Sequence, residues 1–249
     1  MPNKLEEISG ISYVAPNHLI CVEDETGHVY HYDLKLRDLV SEWKFSGSGD
    51  YEDILYYLDS VFVLESDGDV FQFHYSEAGA KEATKYENPL SIKNDTEGLG
   101  FDPDSESLLI TCKEKRDLDG EKTEGWNVYS FELATKSMKR DPFYLLTSKK
   151  LKTFFEEYRD FKYDEERIEV KPSAIALNPL DNNFYILASV GKMIVVIDQR
   201  KNIKATYSIP AKLLEQPEGI TFSPAGDMWI SSEGVDGPGR ILSFKPETR

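Results

Sequence analysis

A short pattern that begins with Glu or Ser recurs along the chain and places carboxylates at regular intervals. Its second residue is small or acidic, its third is Ile or Leu, and a turn and an apolar strand follow. The pattern occurs five times, as Ser9-Gly10-Ile11, Glu52-Asp53-Ile54, Glu97-Gly98-Leu99, Ser173-Ala174-Ile175 and Glu218-Gly219-Ile220. Such recurrence indicates a repeat architecture, in which equivalent residues of each repeat lie at one place in the fold.

Carboxylates that converge on a narrow opening repel one another, and they respond by taking up protons, binding cations or turning into water. The pattern offers oxygen ligands without His or thiolate and so favours a hard cation. Ca²⁺ accepts an irregular shell of about six to eight oxygens more readily than Mg²⁺ does. The sequence therefore predicts a calcium site. An alternative stays open, in which each Glu accepts hydrogen bonds from backbone N–H groups and joins neighbouring repeats.

Two sets of residues are candidates for this site, one at the start of the pattern and one at the end of the strand that follows it. We assign metal ligation to the carboxylates of Glu7, Glu52, Glu97, Glu218, Glu65, Glu114 and Glu233. We assign ligand contacts to Ser9, Ser173, Ser189, Glu23 (or the adjacent Asp24), Lys113 and Arg240. No residue is assigned a catalytic role.

The elements that must position these residues are strands. Successive patterns begin 43, 45, 76 and 45 residues apart, and about 40 to 45 residues is typical of one four-stranded propeller blade. In such a blade the first strand lines the channel and the second returns antiparallel, so both candidate sets meet at one mouth. The sequence thus predicts a single all-β domain, residues 1–249, folded as a five-bladed β-propeller of four-stranded blades, with six blades as the alternative.

The one long spacing has a visible cause. Around residues 145–168 the two-residue alternation is lost, and Leu151, Phe154, Phe155 and Tyr158 recur at helical spacing. We therefore expect a helical insertion between blades three and four.

The last repeat ends without residues for a fourth strand. Propellers are commonly closed by a strand from the opposite terminus, and we expect residues upstream of Met1 to supply one. A signal or membrane anchor carried by those residues would make the protein periplasmic or membrane-anchored, and without it the protein would be cytoplasmic.

Composition narrows the classes of partner. Lys and Arg number 29 and Asp and Glu 45, and the net charge of −16 would repel a nucleic-acid backbone. No apolar run reaches the roughly 18 residues of a membrane span. Cys21 and Cys112 lie in apolar stretches that predict buried thiols. We expect a monomer.

Other motifs carry little chemistry. The four His residues form no H-E-x-x-H pattern, and no G-x-S-x-G is present. The Asp67-Gly68-Asp69 segment lacks the full spacing of an EF-hand and fits a hairpin turn.

Several of these segments, in this order, resemble the SdiA-regulated family of bacterial proteins. They are SGISY at Ser9, TEGLG at Thr96, KE at Lys113, PSAI at Pro172, QPEGI at Gln216 and SSE at Ser231. The resemblance covers nearly the whole chain. It implies a five-bladed propeller with a calcium site, distantly similar to NHL-repeat and phytase-like propellers, and in many members an upstream signal or anchor. Here the second repeat reads YEDI and the fourth PSAI, so the ring of Glu is incomplete.

Two functions are compatible with this sequence. The first is a binding module whose calcium-organised mouth recognises a small anionic ligand or a protein. The second is a calcium-dependent phosphoesterase, in which Glu carboxylates hold metal and a metal-bound water attacks phosphorus. A phosphate site would be expected to bring several Lys or Arg to the mouth, and few candidates exist. The sequence therefore favours binding and leaves enzymatic activity open.

Overall fold

A computed structural model describes residues 1–75, 83–158, 168–234 and 237–246. These residues form five antiparallel sheets, which follow one another along the chain. A short 3-10 helix, Asn3–Leu5, precedes them. Blade one contains β1 (Ile8–Ala15), β2 (His18–Glu23), β3 (His28–Asp33) and β4 (Asp38–Lys44). Blade two contains β5 (Tyr51–Tyr57), β6 (Ser60–Glu65), β7 (Val70–His74) and β8 (Thr84–Tyr86).

The remaining blades are built in the same way. Blade three contains β9 (Thr96–Asp102), β10 (Ser107–Cys112), β11 (Gly125–Glu132), β12 (Ser137–Met138) and β13 (Tyr144–Thr147). Blade four contains β14 (Lys171–Asn178), β15 (Asn183–Val190), β16 (Met193–Ile197) and β17 (Ile203–Ser208). Blade five contains β18 (Gln216–Phe222), β19 (Met228–Glu233) and β20 (Arg240–Phe244). The first strands contact one another in the cyclic order β1, β5, β9, β14 and β18. The five-bladed propeller expected from the repeats is confirmed.

Two blades differ from the uniform four-stranded expectation. In blade three the outer edge of β11 is shared, with β12 pairing at one end and β13 at the other. In blade five the described residues form three strands, and β20 is the outermost.

The helix between blades three and four is α1, Ser148–Glu157. Its N-cap is Thr147, whose side-chain oxygen accepts a hydrogen bond from the Lys150 N–H at 3.1 Å. Leu151 is buried and Phe155 packs on the core between blades three and four, as the helical spacing predicted. The helix is shorter than the 145–168 insertion because residues 145–147 pair with β11 as part of β13, and residues 159–167 lie outside the described residues.

The hydrophobic core is divided among the seams between blades. Five clusters of buried side chains lie there, and each contains one Ile or Leu from the third position of the repeated pattern. These residues are Ile11, Ile54, Leu99, Ile175 and Ile220. Both cysteines are buried and free, as expected.

Polar side chains of the first strands join neighbouring blades. Each bonds to the backbone of an adjacent first strand. The pairs are Ser12 Oγ with Tyr56 N (2.9 Å), Asp53 Oδ2 with Leu99 N (2.7 Å), Ser173 Oγ with Pro217 O (2.7 Å) and Thr221 Oγ1 with Tyr13 N (3.0 Å). The sequence left open that the Glu residues join neighbouring repeats by accepting backbone N–H hydrogen bonds. In blade two this contact is made by Asp53, the residue after Glu52.

Among the described residues, no helix has the length and apolar character that a membrane crossing requires.

Candidate functional site

Every first strand contains a β-bulge at the repeated pattern. In β5, Tyr51 pairs with Glu65 and Asp53 with Leu64, so Glu52 is the extra residue. The pairing of β9 skips Glu97 in the same way. Register shifts occur at the equivalent place in β1, β14 and β18. A bulge leaves its extra residue without a partner on the neighbouring strand and changes the direction of its side chain. The first residues of the repeats therefore lie in equivalent bulged positions.

Three of these residues, Glu52, Glu97 and Glu218, form a group that we call the channel acids. They come from blades two, three and five, and their charges repel across the channel. Burial, with repulsion from Glu97 and Asp50, raises the pKa of Glu52 to about 10. Burial, with repulsion from Glu97, also holds the pKa of Glu218 well above its usual range.

Lys113 supplies one positive charge to this group. Its Nζ lies 2.5 Å from Glu97 Oε1, and only 6% of the Glu97 side chain is exposed. Burial raises the pKa of Glu97 to about 7, although the Lys113 charge opposes the rise. Glu218 Oε2 is buried, and it has no hydrogen-bond partner among the described residues. Among the described residues, Lys113 is thus the one ammonium in an ion pair with a channel acid, and one oxygen of Glu218 has no hydrogen-bond partner.

A second acidic group, which we call the rim acids, comprises Glu7, just before β1, with Asp24 and Glu233 at the ends of β2 and β19, and the Glu233 charge also acts on Glu97 and Glu218. Burial and the Glu7 charge raise the pKa of Asp24 to about 6. Burial and the charges of Asp24 and Glu7 also raise the pKa of Glu233. Asp24 Oδ1 is buried without a hydrogen-bond partner among the described residues. The structure therefore brings Glu7 and Glu233 together, with Asp24 rather than Glu23 beside them.

The other predicted carboxylates have partners of their own. Glu23 turns back on its hairpin, where it accepts hydrogen bonds from the Glu25 and Thr26 N–H groups. Glu114 is half exposed and pairs with Lys171 at 2.8 Å.

The predicted ligand-contact residues are dispersed. Ser9 Oγ donates to the Glu7 carbonyl at 3.5 Å, and the Ser173 hydroxyl is used in the seam with blade five. Ser189 is buried beside a register shift between β14 and β15. Arg240 lies on the outer strand of blade five, 3.9 Å from the Glu215 carboxylate. Of this set, and among the described residues, Lys113 alone forms an ion pair with a channel acid.

A third acidic group was not recognised as a group from the sequence. Glu65, Asp67 and Asp69 present carboxylate oxygens that all lie within 4.8 Å of one another. The Lys85 ammonium bonds to Glu65 at 2.7 Å and to Asp69 at 3.0 Å. The segment is the expected hairpin turn between β6 and β7. The turn brings the three carboxylates together, because Glu65 ends β6, Asp67 lies in the turn and Asp69 directly precedes β7.

The channel acids are less closely grouped than this triad. Among the described residues, the triad is the one set of three or more candidate ligand atoms within 4.8 Å of one another. Lys192 is a further cation that the sequence did not single out; it lies near Glu218, and its Nζ donates to the Glu215 carbonyl.

Comparison with known families gives one match that spans most of the chain. The model of the family described as SdiA-regulated matches residues 2–244. No curated protein matches the sequence.

Solved structures resemble the fold at low sequence identity. A luciferin-regenerating enzyme is 11% identical, with a TM-score of 0.57, over 98% of this chain and 93% of that one. The virginiamycin B lyase of Staphylococcus aureus is 14% identical, with a TM-score of 0.51, over 99% and 72%. The PQQ-bound aldose sugar dehydrogenase of Streptomyces coelicolor is 10% identical, with a TM-score of 0.58, over 95% and 93%. At such identities the likeness establishes the propeller fold alone.

Proposed function

We propose that this chain, which belongs to the SdiA-regulated family, is a binding module whose acidic channel mouth holds Ca²⁺ and presents it to a small anionic ligand or to an acidic group of a protein. One observation supports the proposal above others. Among the described residues one ammonium, that of Lys113, forms an ion pair with the channel acids, of which Glu97 is buried and Glu52 and Glu218 are partly buried, and the buried Oε2 of Glu218 has no hydrogen-bond partner there. Buried charge without a partner is unfavourable, and a cation at this place would relieve it.

The charge of the group suits a divalent ion. With Glu97 paired to Lys113, the carboxylates of Glu52 and Glu218 are left without an ammonium partner among the described residues. Two carboxylates match the charge of one divalent cation. All the donors are oxygens, and they come from blades two and five, so the shell would be irregular. Such a donor set suits Ca²⁺ better than Mg²⁺.

Direct ligation requires the side chains to turn. Ca²⁺ binds oxygens at about 2.3–2.6 Å, so two ligands of one ion lie within about 5 Å of each other. The channel acids do not form a group of three that close. Glu side chains have three rotatable bonds, and Ca²⁺ would displace the proton that the raised pKa of Glu52 keeps on its carboxyl in the metal-free protein. We expect the ion to draw Glu52 and Glu218 inward, with water or a ligand completing the shell.

The phosphoesterase alternative is less well supported. Its phosphate would need free cations beside the metal, and three lysines near this mouth in the described part of the chain already have partners. Lys113 pairs with Glu97, Lys171 pairs with Glu114, and Lys192 bonds to the Glu215 carbonyl.

Calcium titration by calorimetry and thermal unfolding, with and without chelator, tests the proposal. A ligand that binds only the folded state raises the unfolding temperature, so we expect millimolar Ca²⁺ to raise it in the unaltered protein. Glu218→Gln and Glu52→Gln remove a proposed ligand and should each abolish most of the shift. Glu157→Gln, at an exposed site on α1, is the matched control and should keep it.

Two outcomes would redirect the proposal. A calcium shift that survives Glu218→Gln but is lost in Asp67→Asn would place the ion at the Glu65 triad instead. Calcium-dependent hydrolysis of p-nitrophenyl phosphate that is lost in Glu97→Gln would replace binding with catalysis. If Ca²⁺ produces neither heat nor a thermal shift, the proposal is wrong.

A further inference from the structure

The opposite end of the channel contains a cavity that the acidic mouth does not explain. Its volume is about 270 Å³, and all five first strands line it. The lining comprises residues 11–13, 54–57, 99–101, 103, 175–177 and 220–222. On β5 the lining begins at Ile54, two residues after Glu52, and extends to Tyr57, which is five residues after Glu52 and about 17 Å from it at the rise of an extended strand. We call this space the distal cavity.

The chemistry of the distal cavity contrasts with that of the rest of the protein. No lining residue carries a charge, although 30% of the chain is Asp, Glu, Lys or Arg. All five blades contribute aliphatic or aromatic side chains, and the aromatic ones include Tyr13, Tyr57, Phe101 and Phe222. The Ser12 and Thr221 hydroxyls are already bonded to backbone N–H groups in the seams. A charged ligand would therefore meet no counter-charge here, whereas an uncharged ring would meet apolar faces.

The aromatic walls are held in place by second rings. Tyr57 and Phe101 have centroids 3.8 Å apart, and Tyr13 stacks on Trp229 at 5.6 Å with an interplanar angle of 18°. Phe222 packs edge-on against Tyr185 at 5.1 Å. Side chains fixed in this way lose little conformational entropy when a ligand binds, so the cavity is preorganised.

We infer that the distal cavity binds a small, uncharged, planar molecule with one aromatic ring or two fused rings, independently of the acidic mouth. The volume supports this size. A water molecule occupies about 30 Å³ of liquid, so the volume of about 270 Å³ corresponds to about nine non-hydrogen atoms. Offset or edge-on contacts with the tyrosine and phenylalanine rings would hold such a ligand.

Indole is a suitable probe because it is uncharged, planar and of this size. We expect saturating binding of indole by ligand-observed NMR, and at least about tenfold weaker binding of benzoate, which brings a charge into an uncharged site. Tyr57→Ala removes one wall and should weaken indole binding about tenfold. Tyr207→Ala is the matched control, because Tyr207 is exposed on β17, and it should leave the affinity unchanged.

A second variant keeps the test decisive if Tyr57→Ala fails to fold. Ala176→Phe fills the cavity from β14 and should exclude indole. Glu52→Gln and chelator should leave indole binding unchanged, which separates this inference from the calcium proposal. The inference is overturned if indole does not bind, if benzoate binds as tightly, or if folded Tyr57→Ala and Ala176→Phe proteins bind indole as the unaltered protein does.

Discussion

Among single residues, Glu52 and Glu97 show how one position in a repeat acquires different properties in different blades. Both are bulged residues of first strands, and burial raises the pKa of each. Glu97 has a direct partner in Lys113, and its pKa is about 7, whereas that of Glu52 is about 10. The difference between the two pKa values depends on Lys113, directly after the second strand of blade three. Among the described residues, no other second strand is directly followed by a lysine.

The raised pKa of Glu52 predicts that the metal-free protein loses stability as the pH rises. An unfolded Glu ionises near pH 4.5, whereas folded Glu52 keeps its proton up to about pH 10. Between these values the folded state binds more protons than the unfolded state, so the free energy of unfolding falls with increasing pH. We expect a lower urea midpoint at pH 8.5 than at pH 5.5, measured in chelator.

Glu52→Gln provides the control for this prediction. It removes the titrating group and should make the midpoint less dependent on pH. An equally steep decline in Glu52→Gln would show that other groups cause the effect, with Glu218, whose pKa is well above its usual range, and Glu97, whose pKa is about 7, as the next candidates.

The sequence was informative about the channel acids because in-phase repeats bring equivalent positions together. It was less informative about the ends of the second strands. Glu65 pairs with Lys85 on β8 and Glu114 with Lys171 on β14. These partners lie 20 and 57 residues away in the chain, and neither a two-residue period nor the repeat spacing identifies them.

At the scale of elements, the small second residue of the pattern has a structural reason. First strands of adjacent blades approach so closely that a Cβ at Gly98 would lie 2.5 Å from the Ala174 Cα. Gly10 occupies the equivalent place against Asp53, at 2.4 Å from its Oδ1. The pattern therefore encodes both the bulge that presents the acids and the close packing that sets the width of the channel.

Gly98→Ala should destabilise the protein severely. The new methyl group would meet backbone atoms of β14, which cannot move aside as a flexible side chain can, and overpacking of this kind costs about 3 kcal/mol. Gly47→Ala is the matched control, since nothing lies within 4 Å of its Cβ position, and it should change stability by less than about 0.5 kcal/mol. Urea unfolding of both variants measures the difference. Equal stabilities would mean that the blades are not fixed at this distance.

The strands of the blades could be predicted because their alternation and turn residues are local signals. The split outer edge of blade three could not. In the pairing of β13 with β11, Leu145 lies opposite Asn127 and Leu146 opposite Trp126. The two strands are far apart in the sequence, so no local pattern indicates this pairing. The same pairing takes up residues 145–147, so α1 begins at Ser148 rather than at the start of the predicted insertion.

For the whole molecule, the seam between blades five and one closes the ring. Thr221 and Ser231 of blade five bond to the backbone of Tyr13 and Ser9 on β1. Trp229 is the buried blade-five side chain in the cluster at this seam. The N-terminal segment reinforces it, because Leu5 is fully buried there and the Glu6 carbonyl accepts a hydrogen bond from Gly234 N–H at 3.0 Å.

Leu5→Ala should therefore loosen the ring at one place rather than weaken all blades equally. Removing a fully buried leucine side chain leaves a cavity and lowers the free energy of unfolding by about 3 kcal/mol. We expect amide hydrogen exchange to accelerate in β1 and β18–β20 more than in β14–β16, because local opening begins where packing has been lost. Leu36→Ala is the control, since Leu36 is 69% exposed, and exchange there should match the unaltered protein. Exchange that accelerates equally in β15 would mean that the ring unfolds as one cooperative unit and that this seam has no special role in closing it.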